Sequence, residues 1–170
     1  MVPPVVVIKH LPTVMTIAFS PKRGFLACGC QNGSVRAWNS QNWRSTFNYS
    51  HKEAVSAIAF SSDDSRIATG SWDGTIIVRD TTSGDTICIL DHHQSVPWAW
   101  RWMNWHRILA LTFSLDENML MSASNTSYIG FWDLRSQKPT ENLIDLHGFR
   151  TVLRSKNRIG ATILSKLIKY

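Results

Sequence analysis

The sequence predicts an all-β protein built from successive four-stranded antiparallel sheets, followed by an irregular or helical basic tail. Three observations predict this fold class. Two stretches of the chain align without a gap, each contains short apolar runs with a period of two residues, and glycine-containing turns separate those runs. With 170 residues, of which 44% are hydrophobic, the chain is long enough to bury the core of one globular domain.

The repeat has a period of 41 residues. Residues 10–39 align with residues 51–80 at this constant offset. The matched positions include His10 with His51, Phe19 with Phe60, Gly33 with Gly74, and Asn39 with Asp80. Self-similarity at a fixed period of this length is typical of architectures in which each copy is one supersecondary unit.

Each unit predicts four short strands. In the second unit the apolar runs are AVSAIAF, SRIATGS, GTIIVRD and DTICIL, in that order. Asp73 and Gly74 lie between the second and third runs, and a tight hairpin favours such a pair because glycine accepts a positive φ without steric cost. The run VVVI stands before His10 as TICIL stands before His92, so we expect the N-terminal run to form an outer strand.

A third unit carries twelve extra residues. Its end, from Leu111 to Asp133, matches the second unit at an offset of 53, whereas its beginning, HHQSV from His92, matches at 41. Removing residues 97–108 restores the register, and shifting the cut by one residue does so nearly as well. We therefore expect these residues to interrupt the first strand of the unit directly after Val96.

The extra segment reads PWAWRWMNWHRI and holds four tryptophans, Trp98, Trp100, Trp102 and Trp105. Such a cluster can stack on sugars or bases, or it can be core. In a strand the first three would share one face, and in a helix Trp98, Trp102 and Trp105 would. Because insertions normally enter loops, we interpret this one as foreign to the parent repeat and derived from retained non-coding sequence.

The units resemble the WD-repeat family of β-propellers. The resemblance rests on a His that opens each unit, a V-x-x-I-A-F-S strand, a Gly-containing hairpin, and the strand ending Trp132-Asp133. It covers roughly residues 5–145, divided into repeats at about 5–50, 51–91 and 92–145, with residues 146–170 as the basic tail. It implies four-stranded blades around a channel, acting as interaction scaffolds.

The resemblance also implies a structural hydrogen-bond network in each blade. Its members are the opening His, the hairpin Asp, a Ser or Thr of the second strand and the Trp of the third. The second unit offers Thr69 or Ser71, but Arg79 stands at its Trp position. Asn32 replaces the hairpin Asp in the first unit, and Thr126 replaces it in the third. The structural repeat positions are His10, Trp38, His51, Asp73, Gly74, Asp80, His92, Trp132 and Asp133.

Positive charge is concentrated at both ends of the chain. The net charge is +6, residues 1–50 carry five Lys or Arg and no acid, and residues 146–170 carry six and no acid. These two segments suggest an alternative function, a basic module that binds nucleic acid or anionic membrane. We do not expect either partner, because a high isoelectric point alone does not locate a binding surface.

The sequence predicts no catalytic site. His51, Asp73 and Ser71 are the residue types of a hydrolytic triad, but the repeat explains each position without catalysis. Phosphate-binding loops, paired-histidine metal motifs and nucleophile elbows are missing from the sequence. The three cysteines fit no disulfide framework or metal-ligand spacing, and Cys28 and Cys30 share one face of a strand. We therefore expect no enzyme, no cofactor and no metal.

Three units are too few to close a ring, which takes about four to eight blades. We expect an incomplete or truncated propeller whose open edge strands pair with another copy or with a partner. Lys9 follows the N-terminal apolar run instead of preceding it, which does not suit a secretory signal. The sequence thus favours a non-catalytic scaffold for protein–protein interaction inside the cell, in the cytoplasm or the nucleus.

Overall fold

The computed structural model describes residue 8 and residues 12–22, 24–91, 107–125, 128–135 and 142–145. Within them the chain forms three four-stranded antiparallel sheets, each made of consecutive strands. We call these sheets the first, second and third blades. The predicted fold class, antiparallel four-stranded blades of an incomplete propeller, is confirmed. The predicted basic tail, residues 146–170, lies outside the described residues.

The first blade consists of β1 (Val14–Phe19), β2 (Phe25–Cys30), β3 (Ser34–Asn39) and β4 (Ser45–Ser50). The second consists of β5 (Val55–Phe60), β6 (Arg66–Ser71), β7 (Thr75–Asp80) and β8 (Thr86–Asp91). The third consists of β9 (Ile108–Phe113), β10 (Met119–Ser124), β11 (Tyr128–Asp133) and β12 (Asn142–Asp145). In each blade the first strand lies at one edge of the sheet and the fourth at the other.

The first strand of every blade begins in the same way. Val14, Val55 and Ile108 each pair with the last residue of the neighbouring second strand, and a register shift follows in the ladder. An extra residue at such a bulge bends the strand locally and increases its twist. Ile108 is therefore the structural counterpart of Val55.

This pairing bears on the predicted extra segment, residues 97–108. β9 runs unbroken from Ile108 to Phe113, so the described first strand of the third blade begins at the last residue of that segment. The predicted interruption directly after Val96 stays a prediction, because residues 92–106, with His92 and the four tryptophans, lie outside the described residues.

Apolar side chains fill the joints between blades. The first strand of the later blade supplies two large side chains to each joint, Ile58 with Phe60 and then Leu111 with Phe113. The buried residues of the first joint are Ala27, Ala37 and Ile67. Those of the second are Ala57, Ala68, Ile76, Val78, Leu90, Ile108, Leu120, Trp132 and Leu134.

Acidic side chains tie the turns of adjacent blades together. Asp64, at φ 65°, accepts hydrogen bonds at Oδ2 from the Ser20 hydroxyl at 2.8 Å and the Lys22 backbone N–H at 2.6 Å. Glu117, at φ 60° in the equivalent turn of the third blade, accepts one from the backbone N–H of Asp63 at 2.6 Å. In both joints the accepting carboxylate belongs to the later blade and the donors belong to the earlier one, so the two joints are built alike.

Candidate functional site

The candidate site is the polar network around His51, in the connection between β4 and β5. The imidazole is buried, with Nε2 at 2.8 Å from Thr69 Oγ1 and Nδ1 at 3.0 Å from Thr75 Oγ1. Asp73 accepts hydrogen bonds at Oδ1 from the Thr75 hydroxyl at 2.6 Å and its backbone N–H at 2.9 Å. The network joins the β6–β7 hairpin to the loop that enters the blade.

The directions of these hydrogen bonds follow from their chemistry. Because the Thr75 hydroxyl donates to Asp73, its oxygen accepts from Nδ1–H of His51. In the neutral imidazole Nε2 is then an acceptor, and the Thr69 hydroxyl donates to it. The Tyr49 hydroxyl, 3.1 Å from Thr69 Oγ1, donates in turn to that oxygen. One directed chain therefore runs from Tyr49 to Asp73.

Asp73 is held in its charged form. Partial burial by itself raises the pKa of this carboxyl, but contacts with His51 and Thr75 and the backbone N–H of Lys52, at 2.9 Å, outweigh burial. The pKa of Asp73 therefore lies well below its usual range. Hydrogen bonds to a carboxylate favour the ionised form, which makes Asp73 the fixed negative end of the network.

The His51, Asp73 and Ser71 side chains do not assemble as a hydrolytic triad. The buried Ser71 hydroxyl donates to the backbone carbonyl of Glu53 at 3.1 Å and accepts from the backbone N–H of Asp73 at 3.1 Å. The hydroxyls bound to the imidazole belong to Thr75 and to Thr69, the latter completely buried. A nucleophile needs a base within hydrogen-bond reach and access to substrate, and the Ser71 hydroxyl has neither.

Tyr49 and Arg79 replace the missing tryptophan of the second blade. In the third blade Trp132 Nε1 donates to Ser122 Oγ at 2.9 Å. Arg79 and Thr69 occupy the matching positions in the second blade, and there Tyr49 of β4 donates to the hydroxyl instead. The Arg79 guanidinium lies 4.1 Å from the centre of the Tyr49 ring, and its Nη1 donates to the Gly84 carbonyl at 2.7 Å. Burial raises the pKa of Tyr49 to about 12, so the phenol keeps its proton.

The first blade has a sulfur-lined version of the same position. Trp38 is buried and packs with Cys28 and Cys30, whose Sγ atoms lie 4.0 Å apart. Cys28 stands where the second blade has Thr69, so a thiol replaces the hydroxyl. Burial raises the pKa of Cys28 to about 12, which keeps the thiol protonated and unreactive. His10, the expected histidine of this blade, lies outside the described residues.

The remaining repeat positions shape turns. Gly33 and Gly74 have φ of 85° and 82° in the two hairpins, a region that favours glycine. Asp80 Oδ1 accepts from the backbone N–H groups of Thr82 and Ser83 at 2.7 and 2.8 Å, and Asp133 Oδ1 accepts from that of Arg135 at 2.9 Å. These carboxylates therefore stabilise the turns after the third strands of their blades.

In the described ranges no group of three or more His, Cys, Asp or Glu side chains is placed to hold a metal ion. A search of the same ranges finds no helix of the length and apolarity that a membrane crossing requires.

The sequence contained a signal for Tyr49 that the repeat comparison missed. Arg79 at the tryptophan position leaves the hydroxyl of Thr69 in need of another donor, because a buried polar group rarely remains without one. Tyr49 belongs to the first unit and supplies that donor across the unit boundary. A comparison of equivalent positions within units does not consider such a contact.

Comparisons with known proteins match the same repeated units. The family model described as "WD domain, G-beta repeat" matches residues 3–39 and 43–80. Transducin beta-like protein 3 of Bos taurus is 27% identical over 137 residues, which are 79% of this chain and 16% of that protein. WD repeat-containing protein SL1-17 of Schistosoma mansoni is 31% identical over 121 residues, 71% of this chain and 36% of that protein. The chain thus spans a small part of the length of these relatives.

Two further similarities bear on fold and family. The guanine nucleotide-binding protein subunit beta of Oryza sativa subsp. indica is 30% identical over 138 residues, 74% of this chain and 34% of that protein. The crystal structure of the computationally designed Ika4 protein superposes with a TM-score of 0.65 at 24% identity, over 82% of this chain and 78% of that one. The latter similarity concerns the fold alone.

Proposed function

The chain carries WD repeats, and from this we propose that it is a non-catalytic scaffold that binds other proteins. One observation carries the proposal. The side chains with catalytic potential, His51, Asp73 and Ser71, are engaged in hydrogen bonds that hold strands, turns and blades together. The exposed loops of the described blades remain available for function, and a WD-repeat scaffold uses such loops to bind partners.

A fixed aromatic and cationic pair on these loops supports a protein partner. The Arg107 guanidinium lies 4.0 Å from the centre of the Trp72 ring, where the β6–β7 hairpin meets the start of the third blade. The backbone N–H of Arg107 donates to Asn125 Oδ1 at 2.9 Å, which fixes the loop beneath the pair. Trp and Arg are the residues most enriched among those that dominate the free energy of protein binding.

A pull-down with the full chain tests this proposal. The double variant Trp72→Ala/Arg107→Ala removes the pair, and Arg44→Ala, an exposed cation in the β3–β4 turn, is the matched control. We expect a defined set of proteins, identified by quantitative mass spectrometry, to be retained by the wild type and by Arg44→Ala and lost by the double variant. Retention of the same proteins by all three would show that this pair is not the binding surface.

The alternative partners form a separate arm. Purified chain is titrated with RNA, duplex DNA and phosphatidylserine vesicles at low and moderate salt. The scaffold proposal expects no binding that survives moderate salt, since exposed charge contacts are screened there. Binding that persists, and that is lost when residues 150–170 are removed, would replace the scaffold with the basic-module alternative.

A further inference from the structure

The first blade exposes an apolar pair that is covered elsewhere in the same chain. Ile17 and Phe19 on β1 are 63% and 64% exposed. Their counterparts one repeat later, Ile58 and Phe60, pack against the first blade, and Leu111 with Phe113 pack against the second. The same surface is therefore covered at two joints and open at a third position.

The third blade exposes the first-strand part of the complementary side of a joint. Ala57 of β5 is only 5% exposed, because the third blade packs over it. Its counterpart on β9, Ala110, is exposed, and so is Thr112 two residues on. Phe131, the counterpart of Val78, is 6% exposed, so this face is open at β9 and not at β11. Each chain thus carries one open half of a joint on β1 and the open first-strand part of the other half on β9.

We propose that a second copy of this chain occupies the open face of the first blade. Ile17 and Phe19 of one copy then pack on Ala110 and Thr112 of the next, so that the copies associate head to tail. The internal joints argue for this occupant, because they show a blade of this sequence seated on another in the required direction. The proposal rests on the proposed scaffold function and specifies one of its partners. A contact of this kind is heterologous, so it closes into a ring or continues as an open chain.

One residue limits the strength of this contact. A Cβ atom built on Gly29 would lie 2.4 Å from Cγ1 of Val55, and one built on Gly70 would lie 2.4 Å from Cγ2 of Ile108. The third blade has Ala123 at the matching position, so the Val14 side chain of an incoming copy meets a methyl group. The joint between copies must open slightly, and association is weaker than at the internal joints and depends on concentration.

Sedimentation velocity over a range of concentrations tests the proposal with the full chain. Ile17→Lys is compared with Ile89→Lys, because Ile89 is also a strand isoleucine, at 62% exposure, but lies on the outer strand of the second blade. We expect the wild type and Ile89→Lys to associate alike and Ile17→Lys to associate at least about tenfold more weakly, since burial of such a side chain contributes that much or more.

Ala123→Gly supplies a gain-of-function arm. Removing the methyl group is expected to strengthen association severalfold, although glycine weakens the strand itself. A wild type that stays monomeric at about 100 μM, an equal loss in both lysine variants, or no gain with Ala123→Gly would overturn the proposal. If Ile17→Lys abolishes association but still retains the proteins captured in the pull-down, the scaffold function and self-association are separate. If association is confirmed while the pull-down captures nothing, the wider scaffold proposal fails alone.

Discussion

Thr69 is the residue on which the buried network of the second blade depends. Its hydroxyl donates to His51 and accepts from Tyr49, so one oxygen links two side chains that lie outside its own strand. A hydroxyl offers one donor and two acceptor sites, and two of these are used here. The loss of this group affects partners in two blades at once.

Thr69→Val tests that dependence. The substitution keeps the shape of the side chain and leaves the buried His51 and the half-buried Tyr49 without their shared partner. We expect the free energy of unfolding to fall by about 2 kcal/mol, within the range for buried polar groups left unsatisfied. Urea denaturation followed by tryptophan fluorescence measures it. Thr86→Val, on an exposed position of β8, is the control and should change stability by less than about 0.5 kcal/mol.

The low pKa of Asp73 predicts an acid-dependent contribution to stability. A carboxyl whose pKa is lower in the folded state stabilises the protein above its unfolded-state pKa, about 4, and this contribution disappears as pH falls toward the folded-state pKa. Asp73→Asn should therefore be less stable than the wild type at pH 7, with a difference that shrinks below about pH 4. Urea midpoints at several pH values measure this, and a difference independent of pH would contradict it.

Residue patterns predicted part of this site. The resemblance to WD repeats predicted His51, Asp73 and the choice between Thr69 and Ser71, because the alignment of the units places these residues at the network positions of the family. It did not choose the hydroxyl, since both side chains point to the same face of β6 and only their distances to the imidazole separate them. It also missed Thr75, whose hydroxyl stands between His51 and Asp73.

At the scale of elements, a glycine in the second strand sets how closely blades approach. Gly29 and Gly70 occupy equivalent positions, and each faces the β-branched residue that begins the next blade. The side chains there fill the space that a methyl group would need. Spacing between blades is therefore determined by the absence of a side chain at one position in each sheet.

Gly29→Ala tests the closeness of the first joint. Its Cβ would also lie 2.8 Å from Cβ of Val55 and 2.9 Å from Cγ2 of Thr16, so the strands must separate. We expect a loss of about 1–3 kcal/mol in the free energy of unfolding, as for other overpacked cores. Combining it with Val55→Ala, which makes room, should cost less than the sum of the two single changes. Strict additivity in chemical denaturation would show that the two side chains do not meet.

The start of β9 bears on a boundary that the sequence leaves open by one residue. Val96 and Ile108 are both β-branched, and either continues the apolar pattern that leads into residues 110–113. The pattern alone therefore fits two cuts one residue apart. Backbone pairing makes Ile108 the structural counterpart of Val55, because Ile108 pairs with Ser124 as Val55 pairs with Ser71.

For the whole molecule, we predict that the length of the connection between β8 and β9 lowers stability. It spans residues 92–107, whereas the equivalent connection between β4 and β5 spans residues 51–54. Deleting residues 96–107 makes the two equal in length. Shortening a flexible loop fourfold lowers the entropy cost of closing it by about 1 kcal/mol, so we expect the deletion variant to be more stable by that amount. Thermal denaturation by circular dichroism measures it, and a lower midpoint would mean that the segment stabilises the native fold.

The contact between Tyr49 and Thr69 has a consequence for modularity. Sequence divides the chain between residues 50 and 51, yet the hydrogen bonds that complete the second blade begin on the other side of that division. A second repeat excised at its sequence boundary loses the phenol, the ring beneath Arg79 and the only donor found for the Thr69 oxygen among the described residues. Transplanting this repeat into another array therefore requires the last strand of its predecessor as well. The unit that folds with a complete hydrogen-bond network begins one strand before the unit that the sequence repeat defines.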